Sequence, residues 1–238
     1  MNNLKILNVF GIKPATTGVS AGMDFFIPKF NGMENSDAVL AAFEKSYGFK
    51  KKTMLEMIDA LILEVSAQWG PEYMENNELN LLQLFLALDS PFIDHKFFTA
   101  DQNASIFVDQ FLCFDDKNTP GIMPHPHDHV KFNSGIKLAL EHDTCGIFFN
   151  KSGKGTKGWD IRACVIDEDY AGFVHMSMAY TKDNDTDGTI YCGDKLVQLI
   201  VLPVVHTEAE EISEEDYNKL MDKSERGADG FGSSDVKH

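Results

Sequence analysis

At 238 residues with 43% hydrophobic side chains, the chain is long enough for one large domain, or one domain with an insertion, and apolar enough for a packed core. Its formal net charge of −16 repels a phosphate backbone and argues against direct binding to nucleic acid. No apolar run is long enough to span a bilayer, the start Met1-Asn2-Asn3-Leu4-Lys5 lacks the regions of a signal peptide, and Cys113, Cys145, Cys164 and Cys192 form no CxxC pair; a cytoplasmic protein without disulfides or membrane attachment is expected.

In chain order, Leu4–Lys13 reads as a short strand ended by Pro14 and Thr16-Thr17-Gly18, and Phe25–Phe30 as a second apolar stretch broken by Pro28. The pattern then changes. Asn35-Ser36-Asp37 offers caps for a helix over Ala38–Ser46, and apolar residues at helical spacing predict another over Thr53–Gln68, stopped by Gly70-Pro71. Leu79–Leu88 is apolar nearly all round, which predicts a buried helix, while Phe97–Phe114 reads equally as strand or helix. From about Val130 short apolar segments return: Ile136–Leu140, Cys145–Phe149, Ile161–Ile166, Phe173–Tyr180, Ile190–Cys192 and Leu196–Val205. Gly, Asn and Asp turns separate them, which predicts a sandwich or barrel. The acidic run Glu208–Glu215 is read as a solvated segment, and the tail from Ser224 as too glycine-rich and polar to order itself. The expected organisation is a mainly β core over 1–34 and 116–223, a mainly α-helical insertion over 35–115, and a flexible C-terminal arm over 224–238.

Several segments carry chemistry. Asp167, Glu168 and Asp169 fall in a turn between strands, where a carboxylate serves either as a turn residue or as a general base toward water. Tyr170 beside them can close a pocket over a sugar or base. Lys151-Ser152-Gly153-Lys154-Gly155 is a cationic glycine-containing loop suited to phosphates, though it is no Walker A loop and equally fits a solvated hairpin. Arg226 and Phe231 on a glycine-rich arm suit closure over an anionic aromatic ligand. His125-Pro126-His127-Asp128-His129 looks like a metal site. However, neighbouring residues of an extended chain diverge, and no Cys or His pair at ligand spacing completes a site, so no metal is expected there. His142, His175 and His206 stand alone in sequence.

Five fragments occur in fixed order: Ala21-Gly22-Met23-Asp24, Lys151-Ser152-Gly153, Ala163–Gly172 with its Val-Ile-Asp-Glu-Asp-Tyr-Ala-Gly, Gly193–Ile200 (Gly-Asp-Lys-Leu-Val-Gln-Leu-Ile), and Arg226–Ser234. Together they resemble the five motifs of the trimeric dUTP diphosphatases, with Asn133-Ser134-Gly135-Ile136 resembling a further strand of that family. The likeness covers about 1–30 and 130–238 and skips the segment between.

The resemblance implies a jelly-roll or β-barrel core forming a homotrimer with shared active sites, and Mg²⁺-dependent hydrolysis of dUTP to dUMP and pyrophosphate, with the ion held mainly by the triphosphate and waters. It implies that Asp167 activates the water and meets the 3′-hydroxyl, and that Tyr170 packs on the deoxyribose. Backbone groups near Cys164 and His175 would read uracil. Lys151, Ser152, Gly153 and Gln198 would hold phosphates, and Arg226, Phe231 and Gly232 would close over the ligand. Asp24 would support a metal–water network or the site's architecture. Two departures stand out: Lys151 takes the place of an arginine, losing its bidentate fork, and Asn150 takes that of a proline. Nothing in the family gives the insertion a role, which leaves covering a trimer surface, binding a protein partner, or decorating a loop. Two alternatives are a dCTP deaminase or bifunctional enzyme, disfavoured because Phe173–Tyr180 carries no carboxylate, and a regulatory protein that binds a partner through the insertion.

Overall fold

A computed structural model describes residues 4–28, 41, 45, 51–74, 108, 112–117, 119–183 and 188–224. The chain divides into two compact units, Met1–Val204 and Val205–His238. The first is mainly β, as its alternating apolar segments predict, and all its strand pairs are antiparallel.

The sheet that matters most for function has the order β2 (Met23–Phe26), β12 (Lys195–Pro203), β7 (Thr144–Asn150), β9 (Val165–Ile166). One face of it is core. Phe25 sits opposite Val197 and Leu199 opposite Phe148, all four are buried, and the rings of Phe25 and Phe148 meet edge-on at 5.1 Å. A second sheet orders β5 (His129–Asn133), β10 (His175–Tyr180) and β8 (Trp159–Ile161). Alternate residues of β10, Met176, Met178 and Tyr180, are buried, as the two-residue period of a strand requires. Two smaller sheets pair β1 (Lys5–Asn8) with β6 (Ile136–Ala139), and β11 (Ile190–Tyr191) with β4 (Pro120–Ile122) and β3 (Leu112–Phe114).

Within the segment between the first two motif-bearing stretches, α1 (Lys51–Trp69) forms where the apolar spacing predicts it. Gly70, at φ 91°, ends it with its N–H on the Ser66 carbonyl, and residues 71–74 then turn helical again. Residues 41 and 45 are helical too, within the stretch 38–46 read as a helix; the helix expected over Leu79–Leu88 lies outside the described residues. The α1 side chains Ala60, Leu61 and Val65 are buried in the same hydrophobic cluster as the β strands. Trp69, Tyr73 and Phe114 form a mutually edge-on aromatic trio, with centroids 4.3 to 5.5 Å apart, that ties the end of α1 to β3. Phe97–Phe114 thus ends as a strand.

Two readings of local structure need correction. Ile161–Ile166 is not one strand but β8 and β9, which belong to different sheets; Arg162 and Ala163 between them are exposed, and the Arg162 N–H is held by the Ser177 carbonyl as the chain crosses. The loop at Lys151–Gly155 is a single helical turn, α2 (Ser152–Thr156). In the second unit the acidic run is exposed as expected, but it leads into α3 (Glu214–Met221). Ser213 caps α3 by accepting the Asp216 N–H, and Glu214, Glu215 and Asp216 suit the positive end of the helix dipole. No described helix is long and apolar enough to cross a membrane.

Leu61 is fully buried, so Leu61→Ala should cost about 3 kcal/mol, within the usual range for a core leucine. Urea unfolding would show this as a lower midpoint with an unchanged slope. An unchanged midpoint would mean that α1 is not part of the core.

Candidate active site

The first, second and fourth of the five sequence fragments meet at one end of the β2–β12–β7–β9 sheet. Asp24 on β2 lies opposite Gln198 on β12, and Gln198 lies opposite Phe149 on β7. Directly opposed residues share a face, so Asp24 and Gln198 point to the side away from Phe25 and Leu199. Lys195, three residues before Gln198, would point to the other side of a regular strand. A β-bulge corrects this: β12 advances from Lys195 to Val197 while β2 advances only from Phe26 to Phe25, so Lys195 also reaches the Asp24 face.

Asp24 is 5% exposed and lies between two cations. Its Oδ1 accepts from Lys151 Nζ at 2.5 Å, and its Oδ2 lies 2.9 Å from Lys195 Nζ. Burial by itself raises the Asp24 pKa, but the hydrogen bonds and charges of Lys151 and Lys195 outweigh it and hold the carboxyl below its ordinary 3.8. Both Asp24 oxygens are thus engaged by ammonium groups, which ties β2 to the end of β7 and the start of β12. Lys151 keeps two further N–H donors, and Ser152 and Gly153 next to it are exposed at the start of α2.

The fourth fragment is anchored from both sides. Gly193 takes φ 90° in the turn between β11 and β12, a conformation that glycine adopts without strain. Asp194 follows it, and its Oδ2 accepts the Tyr191 N–H and the ammonium of Lys154 at 2.6 Å. Gln198 Nε2 donates to Ser20 Oγ at 2.8 Å and to the Gly22 carbonyl at 3.3 Å, binding the fourth fragment to the first. Gly22 has no room for a side chain, since a Cβ would run into the Leu199 carbonyl and the Gln198 side chain.

The third fragment lies elsewhere. β9 pairs with the first half of β7, Ile166 opposite Gly146 and Val165 opposite Ile147. Continuing that register sets Asp167 level with Cys145, six residues from Lys151, which is about 20 Å along an extended strand. Asp167 is exposed, and its carbonyl accepts the Tyr170 N–H in a tight turn. Tyr170 donates its hydroxyl to the Phe173 carbonyl at 2.8 Å, folding the turn back, and its ring lies where a Cβ on Gly172 would collide with it. Cys164 is half-buried, its carbonyl accepting the Phe148 N–H at 2.8 Å; His175, also half-buried, opens β10 opposite Asn133. The expected site residues thus separate within one chain: Asp24, Lys151, Ser152, Gly153 and Gln198 at one end of β7, Asp167 and Tyr170 toward the other, and Cys164 between them, level with Phe148. Arg226, Phe231 and Gly232 lie outside the described residues.

The histidine cluster His125–His129 folds into a turn, with the Asp128 N–H on the His125 carbonyl and the His125 N–H on Asp128 Oδ2. Among the described residues, no group of three or more metal-ligating side chains includes any of them. Sequence reasoning placed Lys154 in the phosphate-suited loop and Asp194 and Lys195 in the fourth fragment, but nothing in their spacing pairs Lys154 with Asp194 or Lys195 with Asp24.

The comparisons with known proteins point one way. Residues 118–235 match the dUTPase family model. A deoxyuridine 5′-triphosphate nucleotidohydrolase of cowpox virus (strain GRI-90 / Grishak) is 29% identical over 112 residues, 47% of this chain and 71% of that one. The mitochondrial enzyme of the same name from Dictyostelium discoideum is 34% identical over 112 residues, 47% and 58% of the two chains. Residues 118–235 form a dUTPase-family domain. Solved dUTPases are similar to parts of the chain only at a low level. The enzyme of Staphylococcus bacteriophage 80alpha with dUPNHPP is 19% identical, covering 52% of this chain and 91% of that one at a TM-score of 0.40, and the native EIAV dUTPase is 21% identical, covering 44% and 92% at 0.33. The dUTPase match begins after the helical segment and includes the second to fifth fragments; Asp24 lies before it, joined to the matched region through Lys151 and Lys195.

The depressed pKa of Asp24 makes a pH prediction. Its ion pairs contribute stability that is full above its unfolded value, near 3.8, and is lost as pH falls through the lower folded value. Asp24→Asn should therefore cost about 1–3 kcal/mol at pH 7, between the worth of exposed and fully buried pairs. The gap to the wild type should close only below about pH 4. Urea unfolding across pH 3–7 checks this, and a gap independent of pH would contradict it.

Proposed function

We propose that the protein hydrolyses dUTP to dUMP and pyrophosphate, with each active site assembled between subunits of a homotrimer. The observation that carries the proposal is the separation of the two residue groups along β7. The phosphate-type group and the carboxylate group are each well formed, yet stand about 20 Å apart in one chain, further than one nucleotide's α-phosphate can bridge. Bringing the ends of two copies together supplies both.

In this reading the triphosphate lies along Ser152 and Gly153, with Gln198 and the remaining donors of Lys151 directed to its oxygens. Lys151 contributes a point charge where an arginine would contribute a fork, so the backbone and Ser152 carry more of the orientation. Asp167 takes a proton from the attacking water. The water oxygen bonds to the α-phosphorus as the bond from that phosphorus to the bridging oxygen breaks, and pyrophosphate leaves with the electron pair. Tyr170, fixed by the Phe173 carbonyl, packs against the deoxyribose, and backbone near Cys164 and His175 reads the base edge. Arg226, Phe231 and Gly232 close over the ligand from the C-terminal arm.

The donor set fits a metal carried in by the substrate. The one buried carboxylate of the phosphate group is neutralised by two lysines, so Mg²⁺ would be held by triphosphate oxygens and water, where it supplies charge neutralisation. The division into a β core interrupted by a helical segment and followed by an arm stays the proposed organisation, with the aromatic trio joining that segment to β3. β10 carries His-Met-Ser-Met-Ala-Tyr and no carboxylate, which weighs against deamination.

Purified protein should release pyrophosphate from dUTP far faster than from dTTP or UTP. Asp167→Asn keeps the shape but removes the base, so turnover should fall by about 10²–10⁴ while a non-hydrolysable dUTP analogue still binds. Comparable rates on dTTP, ammonia release from dCTP, or near-normal turnover by Asp167→Asn would overturn the assignment.

A further inference from the structure

We propose that Lys154 is a positioning residue for the phosphate-binding segment: its ion pair with Asp194 clamps α2 to the turn before β12 and so holds Ser152 and Gly153 in place. This rests on the phosphate role given to Ser152 and Gly153 above and adds a residue to it.

The argument starts from how little else holds α2. The helix is one short turn, none of its residues is buried, and no side-chain cap is made at Lys151. Two of its five residues, Gly153 and Gly155, are glycines, which disfavour a helix by their freedom in the unfolded chain. A Cβ at either would meet nothing within 4 Å, so close packing does not pin the segment at these points. Within the turn, Thr156 donates to the carbonyls of Ser152 and Gly153, which ties α2 to itself but not to the sheet.

Two side chains reach from this segment to the sheet and its turns, Lys151 and Lys154. Lys151 is the extended residue just before α2 and Lys154 lies within it, and both ammonium groups reach carboxylates of the sheet and its turns. Lys151 meets Asp24 on β2. The Lys154 side chain is only 14% exposed, a burial that lysine tolerates only when paired, and its ammonium lies 2.6 Å from Asp194 Oδ2. Asp194 is itself rigidly held: its Oδ2 accepts the Tyr191 N–H, its carbonyl accepts the Ile27 N–H at 2.9 Å, and Gly193 beside it donates to the Ile27 carbonyl at 2.9 Å. Lys154 is therefore fastened to a point fixed on both β2 and β11. With Lys151 and Lys154 both drawn toward the sheet, Ser152 and Gly153 between them are turned outward and exposed. A helix this short and glycine-rich would otherwise fray, and each phosphate donor would have to be ordered at the moment of binding.

The test is Lys154→Met, which keeps length and apolar contact but removes the charge. KM for dUTP should rise about tenfold with kcat within about twofold, because the lost order is restored on binding and the chemistry is untouched. Amide hydrogen exchange over residues 152–157 should speed up while the β7 and β12 amides keep their protection. Asp194→Asn should act in the same direction, and the double variant should be no worse than the more impaired single one. A lowered melting temperature with KM and exchange unmoved would make Lys154 merely structural and overturn the proposal. Protein that turned over no dUTP would sink the functional assignment alone; the positioning claim would then be decided by the exchange measurement.

Discussion

A carboxylate held between two ammonium groups organises the half of the proposed site assigned to the phosphates. Asp24 comes from the first 30 residues, Lys151 from the end of β7, and Lys195 from the start of β12. Asp24, the buried member, could not sit there unpaired, since an unpaired buried charge costs several kcal/mol. The interaction fixes the end of β7 against β2 and β12, and everything around it follows. The bulge at Lys195–Val197 is needed to turn that lysine to the Asp24 face, the tight turn at Gly193 sets where the bulge begins, and Asp194 in the same turn holds Lys154. Two adjacent residues of β12's entry thus grip two lysine-bearing positions of the phosphate segment, one directly and one through Asp24.

The same sheet keeps the two halves of the site apart. β7 is seven residues long, and its two ends serve different purposes: one continues into α2 and the phosphate segment, and the other pairs with β9 and the turn carrying Asp167. Strand geometry gives this distance, and no side-chain rearrangement closes it. On the proposed reading the constraint is what makes association of copies a requirement for chemistry rather than an addition to it. The helical segment has a different relation to the fold. Leu61 and Val65 of α1 are as buried as the strand residues they join, and Trp69 and Tyr73 grip Phe114 on β3, so this part of the segment contributes to the core instead of hanging from a loop.

Much of the β core was legible because apolar alternation and turn residues both act locally. Ile136–Leu140, Cys145–Phe149 and Leu196–Val205 are within two residues of β6, β7 and β12 at each end. The helix over Thr53–Gln68 was legible from its 3.6-residue period. The failures share a cause. Ile161–Ile166 looks like one apolar stretch, yet the choice between one strand and two depends on which sheet each end finds, and α2 appears as a glycine-rich loop because propensity disfavours a helix that ion pairs to distant residues support. Residue identities named Asp24, Lys151 and Gln198 as members of motifs. They could not reveal that Lys195 reaches Asp24, because that depends on a bulge in the register with β2. The acidic run before α3 reads as solvated, and it is, but its Ser213 cap lies in plain view as a serine three residues ahead of Asp216.

The central claim is that one chain's phosphate segment works with another chain's Asp167, and mixing two inactive variants tests it most directly. Gly153→Asp sets a carboxylate against the phosphates at a position with open space around it, so the fold should survive. Asp167→Asn lacks the base. Each variant alone should be nearly inactive on dUTP. Unfolded together and refolded as a mixture, they should regain a substantial share of wild-type turnover, since some sites then combine an intact phosphate segment from one copy with an intact base from another. A mixture that assembles into oligomers by sedimentation yet stays as inactive as its parents would contradict the account.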